Sequence, residues 1–346
     1  MATTIVHTIK ASGGDYTSLS AWEAAQQRDL VAADEIEVAE CYGFIDTTAT
    51  AVSGWTTGVN NYIIIRAHSS AKATVPMTTD GSRYLLLVST ASVTALSISA
   101  QQYTQVLDIQ VETTSGNANT HNFTTGTNTT FRNCVGRSAM VGNNGGVWFS
   151  QGQVNVRLQN CIGILINNTT TLNNAGVFRH DNAAVQYDNC TAITEGNRRG
   201  WAVGGAAASI IFRNCLAVNL NRRGNGFVVV FGTSPINLIN STNNASTDDT
   251  APGVNARLNQ DIIFANRSIQ DYHLDWMDAG ARGNGTDLSA SPTRSFSDDF
   301  DGNTRSAPWN IGALGVSNAP NSIRLASTGN SNIRLDSTGA SPINIR

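Results

Sequence analysis

The sequence predicts an all-β chain wound as a right-handed parallel β-helix, and three observations predict it. An Asn-Cys pair keeps returning, a glycine-led apolar run keeps step with it, and the residue palette suits turns and strands. The pair stands at Asn133-Cys134, Asn160-Cys161, Asn189-Cys190 and Asn214-Cys215, with Asn240-Ser241 as a variant. The cysteine steps are 27, 29 and 25 residues, then 26 to Ser241. Asp108-Ile109 in "VLDIQV" holds the same register 25 residues before Asn133-Cys134. Fourteen or fifteen residues ahead of four of these points, Gly146, Gly176, Gly200 and Gly226 each open a short apolar run. Each unit therefore reads strand, turn, strand, asparagine corner, strand, loop. Self-similarity at 25 to 29 residues is the mark of a solenoid whose circuits stack at strand spacing, about 4.8 Å.

Identical positions on stacked circuits form columns. An asparagine column fits a sharp corner, because asparagine tolerates the left-handed region and its amide can bond the circuits above and below. Cys134, Cys161, Cys190 and Cys215 then form an interior column of small apolar fillers. A thiol metal site would need closer spacing than this, and side chains on stacked strands point in parallel rather than at one another, which disfavours disulfides. Cys41 is expected to be unpaired as well.

The totals agree. Of 346 residues, 40% are hydrophobic and only 14% charged, with 31 glycines. Such a chain can bury a sizeable core, and its low charge is made up by turn-forming and β-forming residues. A net charge of −3 argues against a broad nucleic-acid surface. No window approaches eighteen consecutive apolar residues, so no membrane span is expected. The N-terminus "MATTIVHTIK" has no basic stretch followed by an apolar one, so synthesis and folding in a cytoplasm are expected.

Residues 1–31 read as an N-terminal strand and a capping helix over the open end of the solenoid. Ser20 and Glu23 have capping-box spacing, and Leu19, Trp22 and Ala25 fall on one helical face. The segment "GDYTSL…AWEAA" resembles the opening of pectin-esterase-like β-helix proteins, which bears on fold only; the esterase's catalytic strand pattern is missing. Residues 32–316 form the predicted β-helix. Its stretch "DYHLDWMDAGARGNGTDLSASPTRSFSDDFDGNTRSAPWNIGALG" (271–315) resembles the closing segment of right-handed β-helix repeat proteins, which implies the last circuits and the C-terminal edge. Within it Asp299, Asp301 and Asn303 alternate as calcium ligands do, but the glycine is misplaced and no glutamate follows, so a tight turn is expected. Residues 317–346 repeat every ten: Ile323, Arg324, Leu325; Ile333, Arg334, Leu335; Ile343 and Ile345. Too short to bury a core alone, this tail is expected to assemble against other subunits or a larger particle.

Catalysis on such a scaffold would need carboxylates sharing neighbouring circuits. The residue before each corner reads Arg132, Gln159, Asp188, Arg213 and Ile239, which offers an Asp188–Arg213 surface ion pair and no acid dyad. The densest polar cluster is His180 and Asp181, expected on a turn, with Glu195, Arg198 and Arg199 in the following loop. Asp181, Glu195 and His180 are the catalytic candidates if there is an enzyme; Arg198, Arg199 and Trp55 are the glycan-contact candidates. Trp148 and Trp201 lie in apolar strands and are expected to face inward. No nucleophile elbow, phosphate-binding loop or zinc-binding helix is present, so no cofactor and no metal are expected.

Across nearly its full length the pattern resembles structural proteins of tailed bacteriophages: head-decoration, fibre and spike proteins. The resemblance implies a non-enzymatic virion surface protein, homotrimeric, contacting capsid or tail proteins and host glycans. A polysaccharide-degrading tailspike and a bacterial β-helix adhesin are the alternatives it leaves.

Overall fold

The computed structural model describes residues 2–114, 120–139, 145–166, 176–195, 198–204, 209–221, 226–231, 240–291 and 295–317. The chain is a parallel β-solenoid of about six turns, with strands the dominant element. Three parallel sheets run along it. Sheet one stacks Thr3–Ile9, Glu35–Cys41, Ile63–Ala67, Thr104–Leu107, Thr130–Arg132, Val156–Gln159, Val185–Asp188 and Ile210–Arg213. Sheet two follows the asparagine corner and runs from Phe44–Asp46 to Ala245–Ser246; sheet three runs from Thr50–Ala51 to Phe227–Phe231.

The corner is built as the repeat predicts. Asn133, Asn160, Asn189 and Asn214 have φ of 52°, 50°, 50° and 54°, and Asp108 stands at 60°. Asparagine is among the few non-glycine residues that enter this region readily. Asn240 is a correction: it is exposed and does not join the column. Thr242 bridges Arg213, so Asn243 (φ 54°) takes the corner and Asn244 the place of the cysteine. There Asn244 Oδ1 accepts from the Cys215 N–H at 2.8 Å, and its amide donates to the Phe212 and Pro252 carbonyls.

Inside, Phe123, Trp148, Phe178, Trp201 and Phe227 stack circuit on circuit with centroid spacings of 4.6, 4.9, 4.9 and 4.5 Å. Offset or edge-on aromatic contacts add to the burial each ring already contributes. The four column cysteines and Cys41 are buried free thiols. Burial pushes their ionisation upward, and each column thiol points at a backbone carbonyl, as Cys134 does toward Val106 at 3.3 Å. Gly136 and Gly163 are required by this packing: a Cβ on Gly163 would lie 2.0 Å from Val177 Cγ1.

The N-terminal strand Thr3–Ile9 pairs in parallel with Glu35–Cys41 and is the first strand of sheet one. The capping helix is Leu19–Gln26, with Ser18 as its N-cap, accepting from the Ala21 N–H at 3.0 Å, in place of the capping box expected at Ser20. Leu19 and Trp22 are buried as expected, whereas Ala25 is exposed. Trp22 closes the end of the solenoid by donating to the buried Glu37 carboxylate, which also binds Arg28 at 2.7 Å.

The C-terminal segment departs from the expected closing circuits. Beyond residue 257 the chain leaves the parallel ladder, forms an antiparallel pair (Phe264–Asn266 with Asp271–Leu274), and runs back along the asparagine corner. Phe264, Tyr272, Leu274, Phe300, Ile311 and Leu314 pack with Val135, Ile162, Ile164, Ile193, Leu216 and Val218 of sheet two in a second core. In its later circuits, at Ile162–Leu165 and Thr191–Thr194, sheet two is thus buried on both faces. Residues 318–346, with the predicted assembly repeat, lie outside the described residues.

Candidate functional site

Sheet one keeps an outer face that is open in part: Gln105, Arg157 and Gln186 are half-buried, whereas Gln159 and Asp188 beside the asparagine corner are buried. Its strands alternate: in "VRLQ" (156–159) Val156 and Leu158 enter the core while Arg157 points out, and Phe131 and Tyr187 share the inward column with Leu158. Outward columns then follow from register. Gln105, Thr130, Arg157 and Gln186 align in one, and Leu107, Arg132, Gln159, Asp188 and Arg213 in the next.

Two adjoining depressions lie on this face and share Gln105 and Thr130. One, of about 280 Å³, is lined by Val59, Tyr62, Tyr103, Asn128, Asn155 and Arg157 besides. The other, of about 540 Å³, reaches the asparagine corner at Asp108 and Asn133 and is walled by Ser295 and Asp298 of the returning segment. Charges in the second are paired: Lys72 with Asp108 at 3.2 Å and Arg132 with Asp298 at 2.5 Å.

The first depression sits on a second left-handed corner, between sheets three and one. The Tyr103 N–H bonds the Thr127 carbonyl and the Asn128 N–H bonds the Val154 carbonyl, which aligns Tyr103, Asn128 and Asn155. Their φ values are 46°, 56° and 55°. The Ile63 N–H bonds Tyr103 O, so Tyr62 occupies the same position one circuit earlier. Asn155 donates to Asn128 Oδ1 at 2.7 Å, continuing an amide ladder that the tyrosines interrupt. A bulky side chain in this region is strained, whereas asparagine is at ease there.

The residues singled out from sequence do not gather into one site. His180 lies on the strand Gly176–Asp181, not on a turn, in register with Ser150 and Val203. It is fully buried, bonded through Nε2 to the Tyr187 hydroxyl, and desolvation lowers its pKa to about 3. Asp181 ends that strand and pairs with Arg179 at 2.7 Å. Glu195 follows Thr191–Thr194 of sheet two and lies near Tyr272, whose ionisation it opposes. Asp181 is in register with Gly204 at the far end of Arg199–Gly204 in sheet three, whereas Glu195 leaves sheet two, so the two acids stand on different sheets.

Of the proposed glycan contacts Arg198 and Trp55 are buried, and Arg199 is half-buried. Arg198 is 1% exposed, and burial lowers the pKa of both Arg198 and Arg199. Trp55 is buried, stacked on Trp22 at 5.5 Å with Arg28 over its ring, and belongs to the N-terminal cap. Trp148 and Trp201 face inward as expected. Arg213 does bond Asp188, at 2.6 Å, but the aspartate is 1% exposed, so this is a covered pair.

At the returning segment, Asp299 Oδ1 accepts from the N–H groups of Asp301 and Asn303, and Gly302 takes φ 85°. The stretch is a tight turn. Asp301 instead holds His273 at 2.7 Å, with Asp271 on the other ring nitrogen at 2.5 Å; burial works against the imidazolium, but the two carboxylates together outweigh it and raise the imidazole to about 9. Among the described residues no three His, Cys, Asp or Glu side chains are placed to hold a metal ion, and no helix is long and apolar enough to cross a membrane.

Sequence reasoning missed the tyrosine corner because Tyr62 and Tyr103 lie outside the Asn-Cys repeat that set the register. The spacing from Tyr103 to Asn128 to Asn155, 25 and 27 residues, was the available signal. The fold and its covered corner define the class of protein, an all-β parallel solenoid. Comparison with protein-family models, with curated proteins and with solved structures finds no match to this chain.

Proposed function

We propose that this chain is a non-enzymatic structural protein of a bacteriophage virion surface, a stiff decoration or fibre element whose exposed sheet contacts host glycans. The observation that carries the reading is the returning C-terminal segment. It spans the asparagine corner from Asn243 to Asn160 and buries the outer face of sheet two in its later circuits, which locks those circuits together. The aromatic stack does the same from inside. Such investment in rigidity suits a part that bears load. The candidate acids, by contrast, belong to different sheets, Asp181 at the end of a sheet-three strand and Glu195 after a sheet-two strand. Residues 318–346 supply attachment in this reading, to sibling subunits or to a capsid or tail protein.

Immunogold labelling or cryo-EM of purified particles tests the assignment. Label on heads or tails is expected, and particles free of the protein would overturn it. Incubation with host capsular or O-antigen polysaccharide tests the enzymatic rival. No oligosaccharide release is expected; release abolished by Asp181→Asn or Glu195→Gln would replace the structural reading with a depolymerase.

A further inference from the structure

We infer that the tyrosine corner of sheet one is a saccharide-binding groove, with Tyr62 and Tyr103 as its stacking platform and Gln105, Thr130, Asn128 and Asn155 as its polar contacts. The inference rests on the surface-scaffold reading and names which surface meets the glycan. Three features converge. The first is strain: Tyr103 takes φ 46° at a corner where the next two circuits place asparagine. Strain of this kind persists where the surroundings over-determine it, and an observed outlier beside a cleft points to use. The second is concavity, since the depression of about 280 Å³ is bounded by both tyrosines and by the exposed Val59 on its rim.

The third is chemistry. Sugars present apolar C–H faces and hydroxyls that both donate and accept. The matching surface is an aromatic face flanked by amides and hydroxyls rather than by a field of one charge. Among the described residues the Tyr62 and Tyr103 hydroxyls and the Gln105 amide make no side-chain hydrogen bond, so they remain able to bond a ligand. The lysine and arginine of the adjoining depression are tied to Asp108 and Asp298, so among the described residues Arg157 is the one cation lining the groove itself, against two tyrosines, two asparagines, a glutamine and a threonine. The groove runs across circuits that repeat at strand spacing, so successive polar groups of the Gln105–Thr130 column can meet successive residues of an extended chain.

Substitution at the strained position separates this role from a structural one. Tyr103→Asn installs the residue that the two following circuits carry at the same corner, so it relieves strain while removing a platform ring. The probes are cellohexaose, chitohexaose and purified bacterial O-antigen polysaccharide, measured by saturation-transfer NMR and calorimetry on the full chain. Wild type is expected to bind at least one probe. Tyr103→Asn is expected to melt at an equal or higher temperature while losing at least tenfold in affinity. Tyr62→Ala is expected to lose a similar factor, and Gln105→Ala less. Absence of binding to every probe, or unchanged affinity in both tyrosine variants, would overturn the groove. Failure here is distinct from failure of the scaffold reading. Protein found on particles but blind to sugars removes the groove alone, and sugar binding with protein absent from particles removes the scaffold alone.

Discussion

Sheets one and two leave the same asparagine corner in opposite directions, yet in the later circuits only one keeps an outer face open in part. Sheet one alternates, with Phe131, Leu158, Tyr187 and Phe212 inside and Thr130, Arg157, Gln186 and Ile211 outside. Sheet two does not. "IGIL" and "TAIT" are buried at every position, because the returning segment covers what would have been the solvent side. Parallel strands covered on both faces read as apolar runs, and strands covered on one face alternate. The burial pattern of the folded strands therefore reports where the second layer lies.

The comparison breaks most severely on a charge. Ile164→Asp places a carboxylate between sheet two and the returning segment, and should cost about 4 kcal/mol or more, enough to stop folding at ordinary temperature. Gln105→Ala on the outer face of sheet one should stay within about 0.5 kcal/mol. Equal losses in urea unfolding would show that the two faces are not differently covered.

Arg305 tests how the cover is fastened. It reaches Asn160 Oδ1 at 3.0 Å and the Gly312 and Ala313 carbonyls at 3.1 and 2.7 Å, and burial lowers its pKa to about 10. Arg305→Ala leaves those acceptors short of a donor and should cost about 2–3 kcal/mol. Protease nicking within 258–317 should rise in parallel, with sheet one unaffected.

A smaller effect sharpens the register of the corner. Asn243→Ala should cost about 1–2 kcal/mol, since alanine is strained in the left-handed region. Asn240→Ala should cost less, since Asn240 is exposed and off the corner. The reverse order in thermal melts would restore Asn240 to the column.

The last contrast is read by pH. His273 titrates higher when folded than its ordinary 6.5, at about 9, so its contribution is full below pH 6.5 and is lost as pH rises through 9. His180 and His121 are displaced the other way by burial, to about 3 and about 4, so they destabilise the fold as pH falls below 6.5. His273→Gln should flatten the alkaline limb of the melting curve and leave the acid limb in place. His180→Phe is the complementary variant and should soften the acid limb.

The repeat made most of the scaffold legible, because stacked circuits force like residues into like environments. Asn133 to Asn214 and their cysteines were readable for that reason. Asn240-Ser241 misled because its 26-residue step imitates the repeat, whereas the corner at Asn243 lies 29 residues after Asn214. His180 misled for a related reason. Its polar neighbours Asp181 and Asn182 read as a turn, yet His180 pairs with Ser150 and Val203 inside the ladder, where a one-residue difference decides which side chain faces inward. The cover was not readable at all. Its contacts with the corner join residues such as Arg132 and Asp298, 166 positions apart, and no periodicity reports pairings of that kind.

A bare solenoid behaves as a one-dimensional array, in which each circuit depends on its neighbours and unfolding can creep inward from an end. The returning segment changes that cooperativity. By bonding the circuits of Arg132, Asn160, Asn189 and Asn214 at once, it makes fraying of one circuit cost contacts on several. It is also made late. During synthesis the apolar face of sheet two leaves the ribosome long before its cover does, and that interval is when the nascent chain is most prone to aggregate.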